Sequence, residues 1–292
     1  MIRKPGDAAP DEPLDLVVQA PVIVREDLAI LTSLTEADDV ESITHAATEA
    51  YRLHEVRQCD GVEEACAAAG YDCAVVPQGR TRARVRLIAL DMDSTLITVE
   101  CIDEIADLQG IKPAVAAITA RAMRGEIDFR ESLTQRVALL RGLPVTALER
   151  VYEDRVKLSP GVRTMLDGFK AVGAKTLLVS GGFTFFTERL KTGIGLDHAL
   201  GNVLEVSEGA LTGRIVGDIV DAQSKAATFR RLAHAHRGPD GLSVAIGDGA
   251  NDLPMLREAD VSIAYRAKPK VRAEAMHAID HCGLDAVLNL FA

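Results

Sequence analysis

Asp91 and Asp93 stand one residue apart in "LIALDMDSTLI", where four apolar residues run straight into them. Extended chain puts residues i and i+2 on one side. The two acids can therefore face a common point, or a side chain and a carbonyl can converge on a cation. Capping of a following helix by Asp93, Ser94 or Thr95 is the plainer alternative, and it leaves Asp91 unexplained. A second acidic pair lies in "GDGANDLPM". Asp248 follows the apolar run "SVAI", and Asp252 comes four residues later in a loop loosened by Gly247 and Gly249. An Asx-rich turn with a helix cap accounts for Asn251 and Asp252 but not for Asp248. Four carboxylates gathered at one edge would repel and raise one another's pKa. A hard divalent cation with oxygen ligands resolves this, and Mg2+ suits a site that keeps water and shares a phosphate.

Two further clusters fit an anion. In "VSGGF", Ser180 ends an apolar run, and Gly181 and Gly182 let backbone approach a ligand closely. A hydroxyl with free N–H groups suits a phosphate oxygen, although a simple turn reads the same way. Lys225, in "DAQSKA", sits near the start of a helix, where a cation opposes the dipole unless an anion is near. A surface lysine is the commoner reading of that residue in isolation.

These clusters need elements to hold them. "RLIALD", "AKTLLVSGG", "LSVAIGDGAND" and "VSIAY" read as buried strands, the first three ending in polar clusters. Residues 99–169 have helical spacing, with breaks at "QGIKP", "RGEID" and "RGLPV", and "DAQSKAATFRRLAHAH" is a helix. "NVLEVSEGALTGRIVGD" reads as a hairpin around "SEG". Alternating strands and helices predict an α/β fold with a mostly parallel sheet covered on both faces. In such sheets ligands sit beyond the carboxyl ends of the strands, where these clusters fall. Upstream, residues 1–16 read as a loose Pro- and acid-rich tail, followed by a small α/β module to about residue 80. Within it "VESITHAATEAYRLHEV" has helical spacing at Ile43, Ala46, Ala47 and Tyr51, "DLAILTSL" fits a strand or a helix start, and "YDCAVVPQ" is a short strand. "PQGRTRAR" is a polar, basic linker.

The chain has 292 residues, is 48% hydrophobic and carries a net charge of -10, which argues against a nucleic-acid or anionic-membrane binder. No apolar run approaches a membrane span, and the first residues lack an apolar leader. A cytoplasmic protein is the expectation, with an oligomer left open. Five cysteines, an odd number, suit reduced thiols. Cys59, Cys66 and Cys73 are seven apart without a CxxC pair, so small buried or half-buried residues are expected rather than zinc ligands. His234 and His236 fit a helix C-terminal charge better than a metal site.

Taken together, "DMDST", "SGG", Lys225 and "GDGANDLPM" resemble the haloacid dehalogenase (HAD) superfamily of aspartate-nucleophile phosphatases. "ECIDEIAD", "RAMRGEIDFRESLTQRV", "SGGFTFF", "GDIVDAQSKA" and "IGDGANDLPM" look like its bacterial phosphoserine phosphatase branch. The resemblance runs from about residue 84 to about residue 270. It implies a HAD-like Rossmannoid sheet over residues 84–292, a helical cap inserted at about residues 99–157, and a separate module, ACT-like in many relatives, over residues 1–80. It implies Mg2+-dependent hydrolysis of O-phospho-L-serine to L-serine and phosphate, the last step of serine biosynthesis. Another small phosphomonoester, or phosphotransfer, remains the alternative.

On that resemblance Asp91 is the nucleophile and Asp93 the general acid and base. Asp91, Asp93 (through its carbonyl) and Asp248 hold the metal, with Asp252 in support. Ser180, Gly181, Lys225 and Asn251 bind the phosphoryl group. Glu100 binds the substrate ammonium and Arg136 its carboxylate, with Phe129 and Met123 walling the pocket.

Overall fold

The computed structural model describes residues 13–43 and 48–292. Its first unit alternates β1 (Leu14–Ala20), α1 (Arg25–Thr35), β2 (Asp39–Ser42), β3 (Glu49–His54), α2 (Val62–Ala69) and β4 (Asp72–Pro77). The strands form one antiparallel sheet in the order β2-β3-β1-β4, a ferredoxin-like arrangement. Strand period two divides β1 cleanly. Leu16, Val18 and Ala20 pack under the helices with Leu31, Val62 and Cys66, while Val17 joins the core of the following unit.

Two expectations for this unit are corrected and one alternative is resolved. Residues 14–16 belong to a strand, not to a tail. Of the two readings open for "DLAILTSL", helix is the one found. The helix expected over "VESITHAATEAYRLHEV" is overturned at both ends, where Val40 to Ser42 lie in β2 and Glu49–His54 form β3; Ala46 and Ala47 lie outside the described residues. The apolar alternation of β3 is hidden because Arg52, on its buried face, is a charged residue. Arg52 is accommodated by Asp15 (3.3 Å) and by the Asn289 carbonyl (2.9 Å). Pairing with neighbouring strands then overrides local helix spacing.

The second unit has a seven-stranded sheet ordered β11-β10-β9-β5-β6-β7-β8. Its strands are β5 (Val85–Leu90), β6 (Lys175–Phe183), β7 (His198–Ser207), β8 (Ala210–Val216), β9 (Leu242–Gly247), β10 (Val261–Tyr265) and β11 (His277–Ile279). All neighbours are parallel except the β7–β8 hairpin. Layers of helix cover both faces: α7 (Val162–Ala171) and α8 (Thr184–Ile194) on one side of the core, α9 (Ala222–His236) and α10 (Leu253–Glu258) with α11 (Pro269–Glu274) on the other. The four helices α3 (Cys101–Leu108), α4 (Lys112–Met123), α5 (Phe129–Ala138) and α6 (Val145–Asp154) form a cap inserted between β5 and β6.

The two units share a core. Val17, Ala74 and Val76 of the first pack in one cluster with Ile279, Leu290 and Phe291 of the second. Asp72 accepts from the backbone N–H groups of Asp280 (2.8 Å) and Cys282 (2.9 Å). The basic segment between the units is not simply a solvated linker: Arg80 is buried and donates to His277 Nε2 at 2.7 Å. No helix among the described residues is long and apolar enough to cross a membrane.

Candidate active site

β5 lies between β6 and β9, so the ends of three adjacent strands deliver Asp91, Ser180–Gly182 and Asp248 to one edge. The Asp91 N–H continues the ladder to the Ile246 carbonyl (3.0 Å). The chain then wraps tightly, with Leu96 N–H donating to the Asp91 carbonyl and Ile97 N–H to that of Met92. Ser94 takes a left-handed φ of 57° inside this turn, an uncommon state for a non-glycine residue. Its hydroxyl donates to Glu100 Oε1 at 2.8 Å.

Lys225 is buried, contrary to its commoner reading as a surface residue. Its Nζ donates to Asp91 Oδ1 at 2.5 Å and to Asp252 Oδ1 at 2.6 Å. Burial alone lowers an ammonium's pKa, but here Asp252 and Asp91 outweigh it and raise that of Lys225. The other oxygen of Asp252 accepts from Gly249 N–H at 3.0 Å. A Cβ on Gly247 would lie 2.5 Å from Asp252 Cγ, so glycine is required for this approach. Asp252 therefore acts as a strut that holds both the lysine and the loop.

Carboxylate oxygens of Asp91, Asp248 and Asp252 lie within 4.8 Å of one another. Burial, and then the charge of Asp252, push the Asp91 carboxyl well above its usual range. The same two causes push Asp248 up to about 6. Acids crowded in this way, presenting only oxygen, match the donor chemistry of a hard divalent cation. Because the hydrogen bonds of Asp252 are already made, Asp91 and Asp248 are the better placed ligands. The Asp93 carboxylate is not part of this group. It accepts from Cys101 N–H at 2.9 Å, and burial followed by the charge of Glu100 raises it to about 7.

A cavity of about 230 Å3 opens over these groups. Asp91, Asp93, Ser180, Gly181, Asp248 and Asn251 line its floor, and Glu100, Phe129 and Arg136 of the cap line its other wall. Ser180 Oγ accepts from Gly182 N–H at 2.8 Å. The Phe129 ring rests against the glycine loop, so a Cβ on Gly181 would lie 3.0 Å from Phe129 Cζ. Arg136 is half-buried and faces the negative charges of Asp103, Glu100 and Asp93.

Met123 is a correction. It is 77% exposed and lines a neighbouring apolar cavity rather than the one holding the carboxylates. Its place at the last residue of α4 turns it outward.

Several residues of the site went unread in the sequence. Lys268 lines the cavity, and its charge opposes the rise in the Asp248 pKa. Ser94 orients Glu100. Asn202, fully buried, donates to the Gly181 carbonyl (2.7 Å) and accepts from Val220 N–H (2.8 Å), tying the glycine loop to the approach to α9. Asp221 caps α9 by accepting from Ser224 N–H at 2.9 Å. Only the last had a local signal, an Asp just ahead of a helical run.

Residues 88–257 match the profile of the haloacid dehalogenase-like hydrolases. The phosphoserine phosphatase of Polaromonas sp. (strain JS666 / ATCC BAA-500) is 53% identical over 214 residues, spanning 70% of this chain and 89% of that protein. Among solved structures, the unliganded form of a probable phosphoserine phosphatase from Vibrio cholerae superposes with a TM-score of 0.82 at 36% identity, covering 94% of this chain and 85% of that one. A substrate-bound phosphoserine phosphatase complex superposes with a TM-score of 0.65 at 35% identity, covering 71% and 99%.

Proposed function

The chain belongs to the haloacid dehalogenase-like hydrolases, and we propose that it hydrolyses O-phospho-L-serine to L-serine and phosphate through an aspartyl-phosphate on Asp91. One observation carries the reading. A nucleophile-grade carboxylate, held by a buried lysine, shares a small cavity with an acid and an arginine from the cap. The substrate has a phosphate, an ammonium and a carboxylate, and the cavity offers a counterpart to each.

In the first displacement an Asp91 oxygen bonds to phosphorus as the bond from phosphorus to the serine oxygen breaks. Asp93, held near neutrality by burial, gives its proton to that leaving oxygen, then takes one from the water that attacks the aspartyl-phosphate. Lys225, Ser180 and the backbone of Gly181 meet the phosphoryl oxygens, with Asn251 beside them, and neutralise charge as it develops. Asp91, the Asp93 carbonyl and Asp248 would hold Mg2+, with Asp252 behind them; when bound, the ion supplies Lewis-acid neutralisation of the phosphoryl charge. Glu100, oriented by Ser94, receives the ammonium, and Arg136 grips the carboxylate. Phe129 closes the cavity against water. At about 230 Å3 the cavity suits a small phosphomonoester better than a nucleotide or a phosphoprotein. Five cysteines, an odd number, suit a reducing compartment such as the cytoplasm.

The test is phosphate release by purified protein from O-phospho-L-serine, O-phospho-L-threonine and simple phosphomonoesters, with Mg2+ and with EDTA. The reading expects selective, EDTA-sensitive release from phosphoserine. Equal rates on all of these substrates would remove the amino-acid specificity.

A further inference from the structure

The cap is tied to the core in two different ways. Its two connections run antiparallel to each other, with Thr98 N–H donating to the Lys157 carbonyl and Ser159 N–H to the Leu96 carbonyl, both at 2.9 Å. The segment after α5 is stitched to the β7–β8 hairpin, Gly142 N–H to the Leu211 carbonyl (2.8 Å) and Leu211 N–H to the Leu143 carbonyl (2.7 Å). Both are backbone ties. Beside Phe129, which lines the cavity, the tie is made by side chains instead. Arg130, next in sequence to Phe129, donates to Asp221 Oδ2 from Nε at 2.9 Å and from Nη2 at 2.6 Å.

Asp221 divides its two oxygens. Oδ1 accepts from the N–H and the hydroxyl of Ser224, both at 2.9 Å, and so caps α9. Oδ2 is left for the arginine of the cap. One turn further along α9 stands Lys225, on Asp91. One residue before Asp221, Val220 is held by Asn202, which also holds the Gly181 carbonyl.

We propose that the Arg130–Asp221 ion pair is a clasp that holds the cap shut over bound substrate while fixing the start of α9, which makes both side chains positioning residues for the reaction. A clasp must open as well as close. The Arg130 side chain is 52% exposed and that of Asp221 20%, and pairs of that exposure are individually weak and readily broken. The backbone ties offer no such release. The position is also apt. One end lies beside the ring that covers Gly181, and the other lies on the turn that delivers the lysine. The hydrogen bond from Ser224, and then that from Arg130, lower the Asp221 carboxyl to about 2, so the pair stays charged throughout any working pH range.

This inference rests on the phosphatase reading above, and the test separates the two. Arg130→Met keeps the aliphatic stem. Asp221→Asn keeps an N-cap oxygen for Ser224 and loses the charge. Each variant and the double are assayed for kcat/KM on O-phospho-L-serine and on p-nitrophenyl phosphate, with melting temperatures alongside. We expect each single to lose about three- to tenfold in kcat/KM, and the double to be no worse than the weaker single, because both remove one interaction. Melting temperatures should stay within about 2 °C of the parent, as for exposed substitutions. Singles within about twofold of the parent, losses that multiply in the double, or losses explained by a matching fall in melting temperature would each overturn the clasp. A parent enzyme inert on phosphoserine but active on p-nitrophenyl phosphate would overturn the substrate reading instead, and the cycle is then read on the second substrate.

Discussion

Removing the Lys225 ammonium should destabilise the metal-free protein in a way that depends on pH. Nζ sits 2.5 and 2.6 Å from two carboxylate oxygens, with all three side chains buried. At an effective dielectric of about 20, each contact is a gross attraction of about 6–7 kcal/mol. Most of that offsets the desolvation of three charges. Deleting one member of such a buried group costs about 3–5 kcal/mol, because the remaining charges are left unpaired. Lys225→Met, which keeps the volume, should therefore lose about that much stability in urea at pH 8.

Without the ammonium, the Asp91 carboxyl, already raised by burial and by Asp252, has lost its main opposing influence. A folded-state carboxyl pKa above the unfolded value means that the folded protein binds more protons. The variant should accordingly recover stability as the pH falls toward 5.5. Mg2+ should restore stability at pH 8 by replacing the missing positive charge, while kcat stays down by about 10²–10³-fold for want of a phosphoryl donor. The assay is urea unfolding at the two pH values, with and without Mg2+. A loss below about 1 kcal/mol at pH 8, or one that is the same at pH 5.5, would refute the claim that this lysine neutralises the acidic cluster.

Asp93→Asn should lower kcat about 10²–10⁴-fold while leaving Mg2+ affinity nearly intact, since its carbonyl survives; turnover and metal titration check this together. Arg136→Ala should lower kcat/KM for phosphoserine by about 10–10²-fold, the worth of a charged hydrogen-bond pair, and hardly touch p-nitrophenyl phosphate. His277 is held neutral down to about 3, by burial first and by Arg80 second. Between that value and 6.5 the unfolded chain binds the extra proton, so stability should fall with decreasing pH by about 1.4 kcal/mol per unit from this group alone. Urea unfolding of His277→Gln should show a pH slope shallower by that amount, and an unchanged slope would count against the assignment.

What could be read in the sequence depended on how far a residue's partners lie along the chain. Asp91, Ser180 and Asp248 were legible because each follows a short apolar run, and an apolar run ending in a polar group marks a strand that delivers it. The parallel sheet and the β7–β8 hairpin followed from the same periodicities. The strand at Glu49–His54 was not legible, because Arg52 breaks the alternation and its partner Asp15 lies 37 residues upstream. Met123 was misplaced because family spacing fixes its position on a helix but not the direction in which the last residue of that helix points. Arg130 looks like any helix-surface arginine until the fold brings Asp221, 91 residues away, to its side. Asn202 sits in an alternating strand where a buried amide has no periodic signature.

The central claim is that the carboxylate of Asp91 becomes covalently phosphorylated during turnover. Brief exposure of the Mg2+-loaded protein to O-phospho-L-serine carrying labelled phosphate, followed by an acid quench and peptide mapping, tests it directly. The account predicts label on the peptide that contains Asp91, absent from Asp91→Asn and chased by unlabelled substrate. Label on another residue, or rapid release of labelled phosphate with no labelled peptide at any quench time, would contradict it.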